Sequence, residues 1–214
     1  MAAPRVRVPA AILLCGLLLA CSTPPAMVRY DFGVPAPAGT AAPTGPADYT
    51  AAGIEVLAPP WLDTPAVLYR LSYADESQLH AYAQSQWVAP PARLLELALR
   101  QAGSVHRALS CGGSGTREAA AAAATAQVVV DLEEFSQVFE AAQSSHVVLR
   151  ARVRLLAART RALVAQREFD LRSAAISPDA PGAVHGLRDL GRAFAADALT
   201  WAAAQALRPC DPPH

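Results

Sequence analysis

The stretch His146-Val147-Val148-Leu149-Arg150-Ala151-Arg152-Val153-Arg154-Leu155-Leu156 decides the fold. Successive side chains of an extended strand point to opposite faces. Val147, Leu149, Ala151, Val153 and Leu155 therefore share one face, and Arg150, Arg152 and Arg154 share the other. A helix would scatter both sets around its circumference. Similar runs lie on either side, at about 126–138 and 163–172, with turns near 141–145 and 157–161. In the first, Val128, Val130 and Leu132 oppose Asp131 and Glu133. In the last, Leu163, Ala165, Phe169 and Leu171 oppose Gln166, Glu168 and Asp170, with Arg167 the exception. Three such strands joined by short turns read as an antiparallel meander.

An arginine-bearing centre strand thus lies between two acid-bearing strands. Cross-strand opposite charges contribute roughly 0.2–1 kcal/mol each and help set register. The arginine row reads either as a self-neutralised solvated face or as a binding strip for anionic lipid or a partner. The acids lie where they would cancel the charge, which favours the first. Glu133 and Glu134, adjacent on one strand, are expected to point in opposite directions.

Working outward, Pro90-Pro91 opens a helix at about 91–102, since proline fits the first turn without losing a helical hydrogen bond. Leu94, Leu95, Ala98, Leu99 and Ala102 form its apolar stripe, and Gly103 is the expected stop. A second helix, about 182–207, carries Val184, Leu187, Leu190, Phe194, Ala198 and Trp201 on one side. Shorter strands are expected at 30–32, 54–57, 67–71 and 105–109, and a weaker extended segment at 79–87. The predicted fold class is α+β, a two-layer domain with a mainly antiparallel sheet and two principal helices packed on one face.

The N-terminus carries an address. Arg5 and Arg7 precede Val8–Ala20, an apolar run too short for a bilayer core, which needs about 20 residues. Leu18-Leu19-Ala20-Cys21 closes it in the pattern of a bacterial lipoprotein signal. The expectation is removal of residues 1–20 and lipidation of Cys21. A tether over 21–29 and a single domain over 30–214 follow, with a Pro/Ala-rich loop near 34–50. Ser22 rather than Asp after the cysteine favours sorting to the outer membrane, inner leaflet, with the body facing the periplasm. Of the remaining cysteines, Cys15 lies inside the apolar run. Cys111 and Cys210 form an even pair that reads as a disulfide in an oxidising compartment.

All eighteen basic residues are arginine. The lack of lysine excludes a Walker A loop, a pyridoxal Schiff base and a Ser-Lys dyad. Loss of Arg5 and Arg7 leaves sixteen arginines against eighteen acids, a slightly acidic balance that argues against nucleic acid. His80, His106, His146, His185 and His214 show no metal-ligand spacing. Gly112-Gly113-Ser114-Gly115-Thr116 begins like a nucleophile elbow but has Thr where the second glycine belongs. No catalytic residue, metal ligand or cofactor is expected.

Val56-Leu57-Ala58-Pro59-Pro60-Trp61-Leu62-Asp63-Thr64-Pro65, then Leu68-Tyr69-Arg70, Tyr82 and Trp87, resembles the ABC-type transport auxiliary lipoproteins, the PqiC-like family. Tyr30-Asp31-Phe32-Gly33 and Asp131-Leu132-Glu133-Glu134-Phe135 extend the resemblance. It implies a non-enzymatic periplasmic subunit that accompanies an ATPase, a permease and an MCE-type lipid-binding protein, in systems moving lipids or related apolar compounds between membranes. The lipoprotein would be the anchor or docking component, with homo-oligomerisation open. Trp61, Trp87 and Arg70 are candidate partner contacts, because Trp and Arg dominate interface hot spots. The alternative is that both tryptophans are core. A cell-wall synthase activator and a lipid-anchored hydrolase using Ser114 are the competing functional classes.

Overall fold

The computed structural model describes residues 26–33, 48–105, 108–109 and 125–206. The elements, in chain order, are β1 (Val28–Tyr30), β2 (Asp48–Leu57), β3 (Ala66–Leu71), β4 (Asp75–Trp87), α1 (Pro91–Val105), β5 (Ala108–Leu109), β6 (Thr125–Ala141), β7 (Ser144–Ala157), β8 (Leu163–Ala174) and α2 (Ala180–Ala206). The fold is α+β, with two helices against a mixed sheet.

The spine is β6, seventeen residues long. One of its edges pairs antiparallel with β7 from Ala126↔Ala157 to Ala141↔Ser144. The other edge is shared. β2 runs parallel to its first half, with Val56 opposite Val130, and β3 runs parallel to its second half, with Arg70 opposite Val138. β2 and β3 therefore lie end to end along one strand, and the loop between them sits beside the middle of β6. β4 pairs antiparallel with β3, β1 parallel with β4, β5 parallel with β2, and β8 antiparallel with β7. The meander holds most of the antiparallel pairing. The parallel pairings lie on the other side of β6, the longest of them β2–β6, from Thr50↔Thr125 to Leu57↔Asp131.

Val147, Leu149, Ala151, Val153 and Leu155 are all within 1% of full burial, so the alternation of β7 is realised in full. α2 packs on the face they form, against β6, β7 and β8, and α1 packs on β2 and α2. Packing against neighbouring elements leaves no room for a side chain at Gly186 or Gly191 of α2. A Cβ on Gly186 would sit 2.7 Å from a Val147 methyl, and one on Gly191 would sit 2.7 Å from the Phe32 ring. Asp179 caps α2 by accepting from the Gly182 N–H at 2.8 Å. Arg100 donates to the Ile54 carbonyl at 2.9 Å, tying α1 to β2.

Several boundaries move. β1 begins at Val28 rather than Tyr30, and α1 continues through Gly103 to Val105. β4 is thirteen residues long and begins at Asp75, although most of its first ten side chains are exposed. Its backbone pairing with β3 and β1, not apolar alternation, holds it extended. The outer edge of β8 has no partner strand among the described residues. Arg167 stands there as the one charge in the core-side series, a device that discourages edge-to-edge pairing.

Candidate functional site

The arginine face of the meander is neutralised strand by strand. Arg154 forks onto Asp131 of β6, with Nε–Oδ2 2.8 Å and Nη2–Oδ1 2.9 Å. Arg152 reaches Glu168 of β8 at 3.0 Å and Glu133 of β6 at 3.3 Å. Arg150 lies 3.9 Å from Asp170, which also pairs with Arg172 at 3.0 Å. The hydrogen bond from Arg172 holds the Asp170 carboxyl below its ordinary range. On this same face Val129, Val148 and Leu156 are buried. The row is thus a self-neutralised sheet face with no surplus of positive charge.

Glu133 and Glu134 correct the expectation of opposite directions. The β6–β7 register shifts between Leu132 and Glu134, so Glu133 is an extra residue. This bulge changes the phase of β6: Val128, Val130 and Leu132 are buried before it, and Phe135, Gln137 and Phe139 after it. Both glutamates then pair with arginines, Glu133 with Arg152 and Glu134 with Arg70 at 3.0 Å. Arg70 also donates to the Glu76 and Ser77 carbonyls. It links β3, β4 and β6 and is largely committed to holding them.

Trp87 is 1% exposed, packed edge-on against Phe32 at 5.7 Å and near Phe135 at 5.8 Å. It is a core residue beside the bulge and cannot reach a partner. Trp61 is the reverse, 59% exposed. It stands on the β2–β3 loop, where Leu62 is buried as the anchor and the Leu62 N–H donates to the Pro59 carbonyl at 2.9 Å. Of the two tryptophans, only Trp61 remains a candidate contact.

A buried polar link closes the end of the sheet near α2. The Tyr82 hydroxyl donates to Gln137 Oε1 at 2.6 Å, and Gln137 Nε2 donates to Ser145 Oγ and to the Ser177 carbonyl. Burial pushes the Tyr82 phenol well above its ordinary value. Tyr69 lies against His80 and Tyr82. These contacts satisfy one another and leave no open acid–base pair. Among the described residues there is no group of three metal-ligating side chains. Cys21, Cys111, Cys210 and Ser114 lie outside the described residues.

The sequence reading passed over the β7–β8 turn. There Arg159 and Arg161 are exposed beside Leu163 and Val164, which are 55% and 53% exposed. Arg161 has φ 59°, the left-handed region that glycine or asparagine ordinarily fills. A five-residue connection, 158–162, carrying two arginines was the available signal.

This is a small mixed-sheet α+β domain with two helices packed on the sheet. The chain belongs to the family of ABC-type transport auxiliary lipoprotein components, whose model matches residues 30–198. The family is one of membrane-anchored envelope lipoproteins associated with transport systems, not a known enzyme family. No helix among the described residues is long and apolar enough to cross a membrane. A crystal structure of a Xanthomonas campestris protein of the DUF330 family is similar at TM-score 0.64 and 15% identity, covering 83% of this chain and 96% of that one. A second solved structure, of an uncharacterized protein, is similar at TM-score 0.54 and 14% identity, covering 83% and 97%. At these identities the likeness is one of fold. Among curated proteins, none matches this sequence.

Proposed function

We propose that the protein is the non-enzymatic lipoprotein subunit of an MCE-type ABC transport system, which moves lipids or related apolar compounds between the inner and outer membranes. Family membership across residues 30–198 is the observation that carries this reading. The protein acts as the anchor and docking component, tied by a lipid on Cys21 to the inner leaflet of the outer membrane. Pairing of β1 with β4 supports a short tether, because only six residues, seven Cα–Cα steps, then separate Cys21 from the sheet at Val28. Fully extended, they reach at most about 25 Å. Trp61 is its exposed aromatic contact, and a Cys111–Cys210 disulfide pins the C-terminal tail.

Purification of the lipidated protein from crosslinked envelopes tests the reading. Recovery of an MCE-type protein with its permease and ATPase is expected. Recovery of envelope proteins without any transporter component would overturn it.

A further inference from the structure

The tip of the β7–β8 hairpin combines features that the self-neutralised sheet face lacks. Among the described residues, neither Arg159 nor Arg161 forms an ion pair, whereas Arg150, Arg152, Arg154 and Arg172 all do. The Arg161 guanidinium donates to the neutral amide oxygen of Gln127, and its backbone N–H to the Ala157 carbonyl. Leu163 and Val164 stand next to these cations with more than half their surface exposed. Arg161 holds this place in a left-handed conformation that asparagine would adopt with less strain. An exposed cation kept in an unfavourable backbone conformation points to a use for its charge.

The position of the tip narrows what that use is. β1 runs parallel to β4, β4 antiparallel to β3, and β3 parallel to β6. β1 therefore runs away from the end of the sheet that holds the β3–β4 and β6–β7 turns, and Val28, opposite Ser85, stands beside the middle of β6. The β7–β8 tip is at the other end, since β7 spans fourteen residues, about 43 Å between its first and last. Val28 is thus about eight residues of strand, roughly 26 Å, short of the tip and on the opposite side of β6, so a tether of at most about 25 Å does not bring Cys21 to it.

We propose that Arg159, Arg161, Leu163 and Val164 form a docking surface for a protein partner that presents carboxylates around an apolar patch, on the side of the domain away from its anchor. The partner is the periplasmic subunit of the transport system, so the proposal rests on the function given above. Opposite charges across such a surface steer association and set register, and the two apolar side chains supply area to bury.

The test places a photo-crosslinking residue at Ala162 in the lipidated full-length protein, with a second at Gln143 in the β6–β7 turn as control. Ala162 is expected to crosslink to the transporter's periplasmic subunit and Gln143 is not. Arg159→Glu with Arg161→Glu is expected to lower recovery of that subunit on the order of tenfold. Arg161→Asn, which suits the backbone, is expected to weaken recovery with no loss of thermal stability. Crosslinks from Ala162 only to lipid, to a second copy or to the chain itself would overturn the proposal. Unchanged recovery by the charge-reversed protein would overturn it too, while leaving the transporter function standing. Failure of the unaltered protein to recover any transporter component would remove both.

Discussion

The two faces of the β6–β7–β8 meander are built on the same residues of backbone and do different work. On the helix side, Leu149 and Leu155 are fully buried under α2, and side-chain shape matters to fractions of an ångström. On the other side, Arg150, Arg152 and Arg154 pair with acids of both neighbouring strands while remaining partly in water. The first face supplies free energy by removing apolar area from water. The second contributes little energy per pair but penalises a one-residue slip, which would turn the arginines toward the core. A strand can thus be held in place by one face and aligned by the other.

Substitutions ranked by expected effect break this comparison in turn. Leu149→Ala leaves a cavity beneath α2 and is expected to cost roughly 2–5 kcal/mol, read as a lowered urea midpoint. Gly186→Ala drives a methyl into Val147. On a solvated helix the change would help, but here it is expected to destabilise by about 1 kcal/mol or more net, measured by thermal melting. Arg154→Ala, on the charged face, is expected to cost only about 0.5–1 kcal/mol, and the difference from the unaltered protein should shrink with added salt. A loss as large as that of Leu149→Ala would mean that the charged face carries core-like energy.

Acid sharpens the same contrast. Asp170, Asp179 and Glu96 are all held below their ordinary values, Asp170 chiefly by Arg172, Asp179 by Ser177 and Glu96 by Arg100. A carboxylate with a depressed folded-state pKa stabilises the fold above its unfolded value, and that contribution is lost as pH falls, because the unfolded chain takes up more protons. Stability is therefore expected to decline below about pH 4. The urea midpoint of Asp179→Asn should decline less over that range than that of the unaltered protein. The smallest effect is expected from Arg161→Asn, with a melting temperature equal to or slightly above that of the unaltered protein, since it relieves a left-handed arginine.

Much of the meander was legible because its information is local. β7 alternates without interruption, and one buried face specifies which way every side chain points. The change of phase along β6, from Val128, Val130 and Leu132 to Phe135 and Phe139, was also present in the sequence as a missed bulge. The edge strands were less legible. β4 is extended through backbone hydrogen bonds to β3 and β1, and most of its side chains face water, so periodicity carries little trace of it. The contact candidates divided for a related reason. Trp61 and Trp87 are the same residue type in similar Pro-flanked surroundings, but one stands on a loop and the other closes on Phe32 and Phe135, which come from distant parts of the chain.

By itself the sequence determined the two-layer α+β class, the strands of the meander, both helices and the pairing of an arginine strand with acid strands. These follow from periodicity, proline placement and neighbouring charge, all short-range properties of the chain. Only the tertiary structure decided that β2 and β3 share one edge of β6, that a bulge brings Glu133 and Glu134 to the arginine side, and that Trp87 is core. It alone separated the balanced arginines from the two left unpaired at the hairpin tip. Each of these depends on which residues meet across long stretches of chain, and no local pattern encodes that.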